Sequence, residues 1–336
     1  MKECRLSEAI QLSNIFYFLR SRERKMQLIS IVTACYNEEE NVNELYHRVK
    51  RVTENLPHYQ FEHIFIDNAS TDKTVERLKE IAKLDKSVKL IINARNFGHI
   101  RSPFYGLMQA KGDAVLSLVC DLQDPPELIQ EFLYKWESGY KVVVGIKKSS
   151  HENFLIKNIR KFYYRLISLI SKSKQIRNYT GFGLYDKKVI QVLREFNDPY
   201  PYFRGMIAEI GFEVAEIDYD QPPRAKGFTK NNLYTLYDMA MLGITSYSKT
   251  PIRLMTIVGF SFSVLSILTA FVFFILKLYY WNSFSMGLAP ILIGFFFFTG
   301  IQLFFIGLLG EYISSIHTYV QNRPLVVVKE EVNMER

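Results

Sequence analysis

Apolar and polar positions come in blocks along the first two thirds of the chain, and the block lengths set the elements. Short apolar runs of strand length each end in a polar cluster, and a stretch with helical spacing follows. Leu28–Ala34 ends in Cys35-Tyr36-Asn37-Glu38-Glu39-Glu40, with a helix to about Val52. Phe61–Ile66 ends in Asp67-Asn68-Ala69-Ser70-Thr71-Asp72, whose Ser/Thr/Asp content signals the N-cap of a helix reaching about Leu84. Val88–Ile92 leads into Arg95-Asn96-Phe97-Gly98-His99 and a third helix. Ala114–Val119 leads into Asp121-Leu122-Gln123-Asp124-Pro125-Pro126-Glu127, and Tyr140–Val144 is the fifth run. Strands alternating with helices predict a parallel sheet covered on both faces. Polar clusters after successive strands then gather along one edge, where such sheets bind ligands.

Beyond Val144 the pattern changes. Leu155, Ile159, Phe162, Leu166 and Leu169 mark the apolar face of a long helix, and Lys157, Lys161 and Arg165 line another face at i, i+4 spacing. A second lobe is expected over 178–230. It contains a helix from Lys187, a strand over Glu213–Tyr219, and a Gly/Pro/basic segment from Gln221 to Lys230 that suits a lid over phosphates. Asn231–Ser248 reads as an amphipathic helix at a membrane surface. Two charge-free stretches follow, Leu254–Leu276 and Leu278–Gly310, each long enough to cross ~30 Å of hydrocarbon. Glu311–Gln321 reads as a further interfacial helix. The chain thus divides into an extension (1–27), an α/β domain (28–230), an interfacial helix (231–252), two membrane helices (253–310) and an interfacial helix with tail (311–336).

Charge refines this picture. Residues 141–177 carry ten Lys/Arg against one acid, Glu152, an excess of nine, while the whole chain is +8. The rest is therefore near neutral, and the basic helix is a local feature suited to anionic headgroups or a phosphate-bearing lipid. Nucleic acid is the rival partner, and two membrane spans argue against it. Lys249 and Arg253 flank the first span and only Lys277 sits in the outer loop, so both termini are expected in the cytoplasm. Three cysteines without metal-like spacing suit a reducing compartment.

The acidic loop carries the candidate chemistry. Asp121, Gln123 and Asp124 are hard oxygen donors of the kind that hold Mg²⁺ or Mn²⁺ when phosphates complete the shell. The plainer reading is an Asp-Pro turn capping a helix. His99 at a helix start is read as a local hydrogen-bonding residue, and Cys120 as a small residue filling a strand end.

Taken together, Tyr36-Asn37-Glu38-Glu39, Asp67–Asp72, Arg95–His99, Asp121–Glu127, Tyr202-Phe203-Arg204-Gly205 and the two apolar stretches resemble the family 2 glycosyltransferases that act on polyprenyl phosphates. The resemblance runs from about Ile29 to Gln321. It implies a Rossmann-like GT-A fold holding a nucleotide-diphosphate sugar across the strand ends. Tyr36, Asn37, Glu38, Asp67, Asn68, Arg95 and Gly98 would bind the donor. Asp121 and Gln123 would hold the metal, with Asp124 beside them as the third residue of the catalytic loop. Lys147, Arg160, Arg165, Arg204, Arg224 and Lys230 are the candidates for gripping a lipid phosphate.

The chain departs from the family pattern at Val119 and Asn68, where the family has acids, at Gly181, and at Arg101-Ser102-Pro103. The expected activity is inverting transfer of a hexose, UDP-linked by expectation, to undecaprenyl phosphate at the cytoplasmic face of a bacterial inner membrane. Its product would serve a cell-surface polysaccharide. A lipid-linked saccharide acceptor is the alternative enzyme reading, and a catalytically silent scaffold, supported by Val119 and Gly181, is the third. Interfacial helices and the resemblance together imply a homo-oligomer.

Overall fold

A computed structural model describes residues 26–148, 176, 178–222, 241, 250–280 and 288–334. The expected basic helix around Arg160 and Arg165, the segment with Arg224 and Lys230, residues 1–25 of the N-terminal extension and most of the interfacial helix from Asn231 lie outside the described residues.

One eight-stranded sheet organises the domain, in the order β7-β5-β6-β4-β1-β2-β3-β8. The strands are β1 (Gln27–Cys35), β2 (Tyr59–Asp67), β3 (Val88–Asn93), β4 (Ala114–Val119), β5 (Val142–Lys147), β6 (Tyr179–Asp186), β7 (Val214–Tyr219) and β8 (Val328–Val332). The helices are α1 (Val42–Glu54), α2 (Thr74–Leu84), α3 (Gly98–Gln109), α4 (Ile129–Glu137), α5 (Lys187–Glu195), α6 (Phe203–Ile210), α7 (Thr250–Tyr279) and α8 (Leu288–Gln321). Strands β1 to β4 pair in parallel, as near-continuous Val/Ile/Leu runs buried on both faces require. Leu116 and Leu118 join the core on one face of the sheet, and Val115, Val32, Ile64 and Ile66 join the core on the other.

The expected all-parallel sheet is corrected at two strands. β6 runs antiparallel between β4 and β5. Lys147 N donates to Asn178 O at 3.3 Å, so the chain leaves β5 and re-enters β6 at the same sheet edge. A strand entered from that edge must run back down. Gly183 lies within this crowded centre, where a Cβ would sit 2.6 Å from Val143 O and 3.0 Å from the Tyr185 hydroxyl. The second correction is β8, which pairs antiparallel with β3 at the far edge. Lys79 Nζ meets Glu330 at 2.6 Å, and Asn333 Nδ2 donates to Ala82 O at 2.7 Å and Val88 O at 2.9 Å. What reads as a tail is part of the sheet.

The C-terminal apolar region is helical. Residues 311–321, expected as a separate interfacial helix, continue α8 without a break, since a single Glu311 does not stop a helix. Among the described residues one helix is long and apolar enough to cross a membrane, over Phe297–Gln321, and the apolar stretch of α7 is the shorter Thr250–Ser266. Large apolar side chains stand exposed along both, Phe260, Phe271, Leu303 and Phe304 among them, and Phe262 meets Phe298 edge to face at 5.6 Å. Tyr319 Oη donates to Asp198 at 2.9 Å, joining the end of α8 to the loop before α6.

His63 in the middle of β2 is 5% exposed and meets Thr33 Oγ1 through Nε2 at 2.9 Å. Burial lowers its pKa to about 3, so it is neutral in the fold, whereas the unfolded chain takes up a proton below about pH 6.5. The contribution is complete above pH 6.5 and is lost as the pH falls from there toward 3, at up to about 1.4 kcal/mol per unit. Unfolding of wild type and His63→Gln between pH 7 and 5 tests this. The wild-type curve should fall more steeply, and parallel curves would refute it.

Candidate active site

The carboxyl ends of β1, β2, β3 and β4 converge on one edge, with β1 as the point where the strand order reverses. Register sets Cys35 beside Asp67 and Ala34 beside Val119, so the clusters after β1, β2 and β4 are immediate neighbours. Tyr36, Asn37, Glu38, Asp67, Asn68, Asp121, Gln123 and Asp124 all fall within these clusters.

The first two loops are sewn together. Asn37 N donates to Ser70 Oγ and Thr71 N to Asn37 Oδ1, both at 2.8 Å. Glu38 N donates to Thr74 Oγ1 at 2.8 Å, Glu39 N to Asp72 at 3.2 Å, and Lys73 N back to Glu39 at 3.0 Å. Asp67 is almost fully buried and accepts from Ser70 N at 2.9 Å and from the Ser70 hydroxyl. Burial raises its pKa, and these bonds oppose the rise. Asn37, Ala69 and Leu122 adopt left-handed backbone, with φ of 54°, 63° and 60°. Asparagine tolerates this, whereas alanine and leucine are held there at a cost of about 1–2 kcal/mol each. Such strain persists where packing over-determines it, and Leu122 is anchored in the core beneath the loop.

Asn68 spends its whole amide on the chain. Its Nδ2 donates to Asn96 Oδ1 at 2.9 Å and Gly98 O at 3.1 Å, and its Oδ1 accepts from Phe97 N at 2.9 Å and Asn93 Nδ2 at 3.2 Å. It ties the β2 loop to the β3 loop, where Arg95 stacks over the Phe97 ring at 4.1 Å and Gly98 opens α3. The resemblance assigns this position to the donor, and here its four hydrogen-bonding sites are already filled.

In the acidic loop Gln123 N donates to Asp121 Oδ1 at 3.2 Å, and Gln123 Nε2 reaches Pro222 O at 3.5 Å, past the end of β7. The start of the expected lid therefore touches the loop it would cover. Asp124 is 2% exposed and accepts from Tyr219 Oη at 2.8 Å. Burial pushes its pKa up to about 7, the Tyr219 bond opposes this, and the neighbouring Asp121 adds to it. Lys147 at the end of β5 lies close enough to favour the Asp124 carboxylate. Asp121 and Gln123 offer one carboxylate and one amide, a hard-oxygen set that fits a divalent cation completed by phosphates and water. Val119, 41% exposed, closes β4 beside them with no donor to offer.

Arg204 opens α6 and stands near the hydroxyls of Tyr179 and Tyr185, whose own short contact links the start and end of β6. Tyr219 is the residue that sequence reasoning missed in the acidic loop. The signal was its place as the last residue of an expected strand running into Gln221-Pro222.

Asn68→Asp should turn two donors into a charge facing two acceptors, costing about 2–3 kcal/mol. Thermal melting checks it, against Asn68→Ser as a neutral control. An unchanged melting temperature in the Asp variant would show that Asn68 is not the tie between these loops.

The Glycosyl transferase family 2 pattern matches residues 30–194. The chain is 34% identical to the glycosyltransferase YkcC of Bacillus subtilis over 307 residues, 91% of this chain and 94% of that protein. It is 32% identical to the SfII prophage-derived bactoprenol glucosyl transferase of Shigella flexneri over 303 residues, 90% of this chain and 97% of that protein. To the putative glycosyltransferase CsbB of Bacillus subtilis it is 30% identical over 308 residues, covering 91% and 92%. With relatives this similar along nearly their full length, the chain belongs to the family 2 glycosyltransferases, among those of the polyprenyl-phosphate type, and is an enzyme built on a mixed α/β sheet.

Proposed function

We propose that the protein transfers a hexose from a nucleotide-diphosphate sugar, in the simplest case UDP-linked, to a polyprenyl phosphate of the undecaprenyl class at the cytoplasmic face of a bacterial inner membrane. The observation that carries this reading is the acidic loop Asp121–Asp124 at the strand-order reversal, in a chain that matches bactoprenol glucosyl transferases over 90% of its length.

Departure of a nucleoside diphosphate develops negative charge, and the site must neutralise it. Asp121 and Gln123 would hold Mg²⁺ or Mn²⁺ against the diphosphate, and the cation would supply that neutralisation. The sewn β1 and β2 loops, with Tyr36, Asn37, Glu38 and Asp67, form a rigid floor for the nucleoside. Arg95 and Gly98 border it from the β3 loop. A phosphate acceptor is already anionic, so it needs alignment for in-line attack at the anomeric carbon more than it needs a base. Lys147 and Arg204 flank the β5–β6 side of the edge, where an acceptor phosphate would arrive. Arg160, Arg165, Arg224 and Lys230 are assigned to the same task from their sequence positions. A saccharide acceptor would require a base to deprotonate a hydroxyl. Asp124 is sealed against Tyr219, which favours the lipid phosphate over that reading.

The apolar α7 and α8 are proposed to form a membrane hairpin that returns the chain to the side it left. β8 then fastens that hairpin to the catalytic sheet. Assembly as a homo-oligomer is part of the same proposal.

The deciding assay uses detergent-purified protein, undecaprenyl phosphate, Mn²⁺ or Mg²⁺ and a panel of nucleotide sugars, with nucleotide release and butanol-extractable labelled lipid as readouts. One donor should give labelled lipid, and EDTA should suppress it. Donor turnover into a saccharide but not into lipid would overturn the acceptor assignment. Asp121→Asn should lower transfer at least 100-fold with melting unchanged, and retained activity would refute the metal assignment.

A further inference from the structure

Arg101, in the first turn of α3, is a cation that no carboxylate holds among the described residues. Its guanidinium carbon stands 5.4 Å from the ring centroid of Tyr200, in the loop between α5 and α6. Its Nε is buried and, among the described residues, has no hydrogen-bond partner. Among the described residues no acid comes within ion-pair distance of it. A buried N–H of a cation without an acceptor is costly, and such groups persist where a ligand supplies the acceptor.

The packing of α3 fixes where this cation sits. Gly106 lies directly on Ile66 and Val32, close enough that a Cβ there would be 2.9–3.0 Å from their methyl carbons. Arg101 is five residues earlier, about 7.5 Å along the helix toward its start. This is about two strand residues beyond Ile66, at the level of Asn68 and two residues past Ala34 and Val119, which pair beside Ile66. One residue on, Ser102 points at the sheet and accepts from Asn93 Nδ2 at 2.9 Å, which pins this turn to the site edge. Arg101 itself leans the other way, off α3 toward Tyr200. That loop leads into α6, where Phe203 packs on Phe104 of α3 at 6.2 Å and on Tyr185 of β6 at 5.1 Å. Val119 faces this same side of the sheet, by alternation from Val115. The arginine therefore leans across the end of β1 toward β4 and β6, where Val119 brings no charge and Arg204 brings a second cation.

We propose that Arg101, steadied by Tyr200, is a phosphate-binding residue of the transfer reaction on the β4–β6 side of the site. The planar guanidinium suits two phosphate oxygens at once, and stacking on an aromatic face pre-orders it for that. This deepens the function proposed above and rests on it for the identity of the phosphate, which belongs either to the donor diphosphate or to the lipid acceptor.

The test measures equilibrium binding of two probes to the full-length protein in detergent: inorganic pyrophosphate for the donor and a short-chain polyprenyl monophosphate for the acceptor. Arg101→Ala should weaken one probe by about 10–100-fold and leave the other within twofold. The affected probe names the phosphate. Arg101→Lys should recover part of the loss, and Tyr200→Leu should weaken the same probe several-fold. Melting temperatures should stay close to wild type throughout. Both probes within twofold of wild type in Arg101→Ala would overturn the proposal. So would equal weakening of both together with a fallen melting temperature, which would mark a structural role. If Arg101→Ala does not fold, the Lys and Leu variants decide by the same pattern. A wild-type protein that transfers no sugar to polyprenyl phosphate would sink the functional reading, while probe binding would still decide for or against Arg101.

Discussion

Burial of β1 on both faces is the constraint on which the rest of the structure depends. Ile29 and Ile31 are enclosed on one face, Ser30 and Val32 on the other, and β2 and β4 occupy its two hydrogen-bonding edges. A strand so enclosed can carry polar groups only where they are bonded or where it ends. Ser30 meets the first condition, accepting from Gly112 N at 2.8 Å and contacting Glu62, which Lys89 neutralises at 2.6 Å. Its carboxyl end meets the second. There the strand order reverses, and the gap between the flanking loops is where a ligand can approach the backbone.

The same enclosure sets the two loops against each other. Asn37 bonds to Ser70 and Thr71, Glu38 to Thr74, and Glu39 to Asp72 and Lys73, so the loops fix one another. Left-handed Ala69 and Leu122 are affordable only in that setting, since the bonds around Asp67 and the buried Leu122 side chain hold the backbone there. Preorganisation of this kind lowers the ordering cost when a diphosphate is bound. It also makes the loops intolerant of change at residues such as Asn68, whose amide ties two loops together.

Much of this was legible in the chain because it is local. Strands β1 to β4 and β7 fall within two residues of their expected bounds, since uninterrupted apolar runs ending in polar clusters mark them. β6 escaped because Gly181 and Gly183 interrupt its apolar pattern, and its direction follows from where the preceding segment returns. β8 escaped because Val-Lys-Glu-Glu-Val has no apolar face of its own, and edge pairing with β3 and the two bonds of Asn333 make it a strand. The acidic loop could be read directly, as its donors lie within four residues. Tyr219 and Tyr200 could not, because they reach Asp124 and Arg101 from more than ninety positions away, and only the packing of β7 and α6 brings them there.

The electrostatic pattern of the edge follows from these placements. Asp124 is buried against Tyr219 on the core face that carries α1 and α4, and the neighbouring Asp121 raises the cost of ionising it. On the opposite face Val119 contributes no charge, while Arg101 and Arg204 contribute two cations. An anion entering between β1 and β4 thus meets carboxylates on one side and guanidinium groups on the other. Only a cation bridging to the acids lets the same anion satisfy both. A diphosphate or a pair of phosphates meets that requirement, and a neutral acceptor does not. The division of charge between the two faces is therefore an argument for chemistry between phosphates, made by residues that no single stretch of sequence contains.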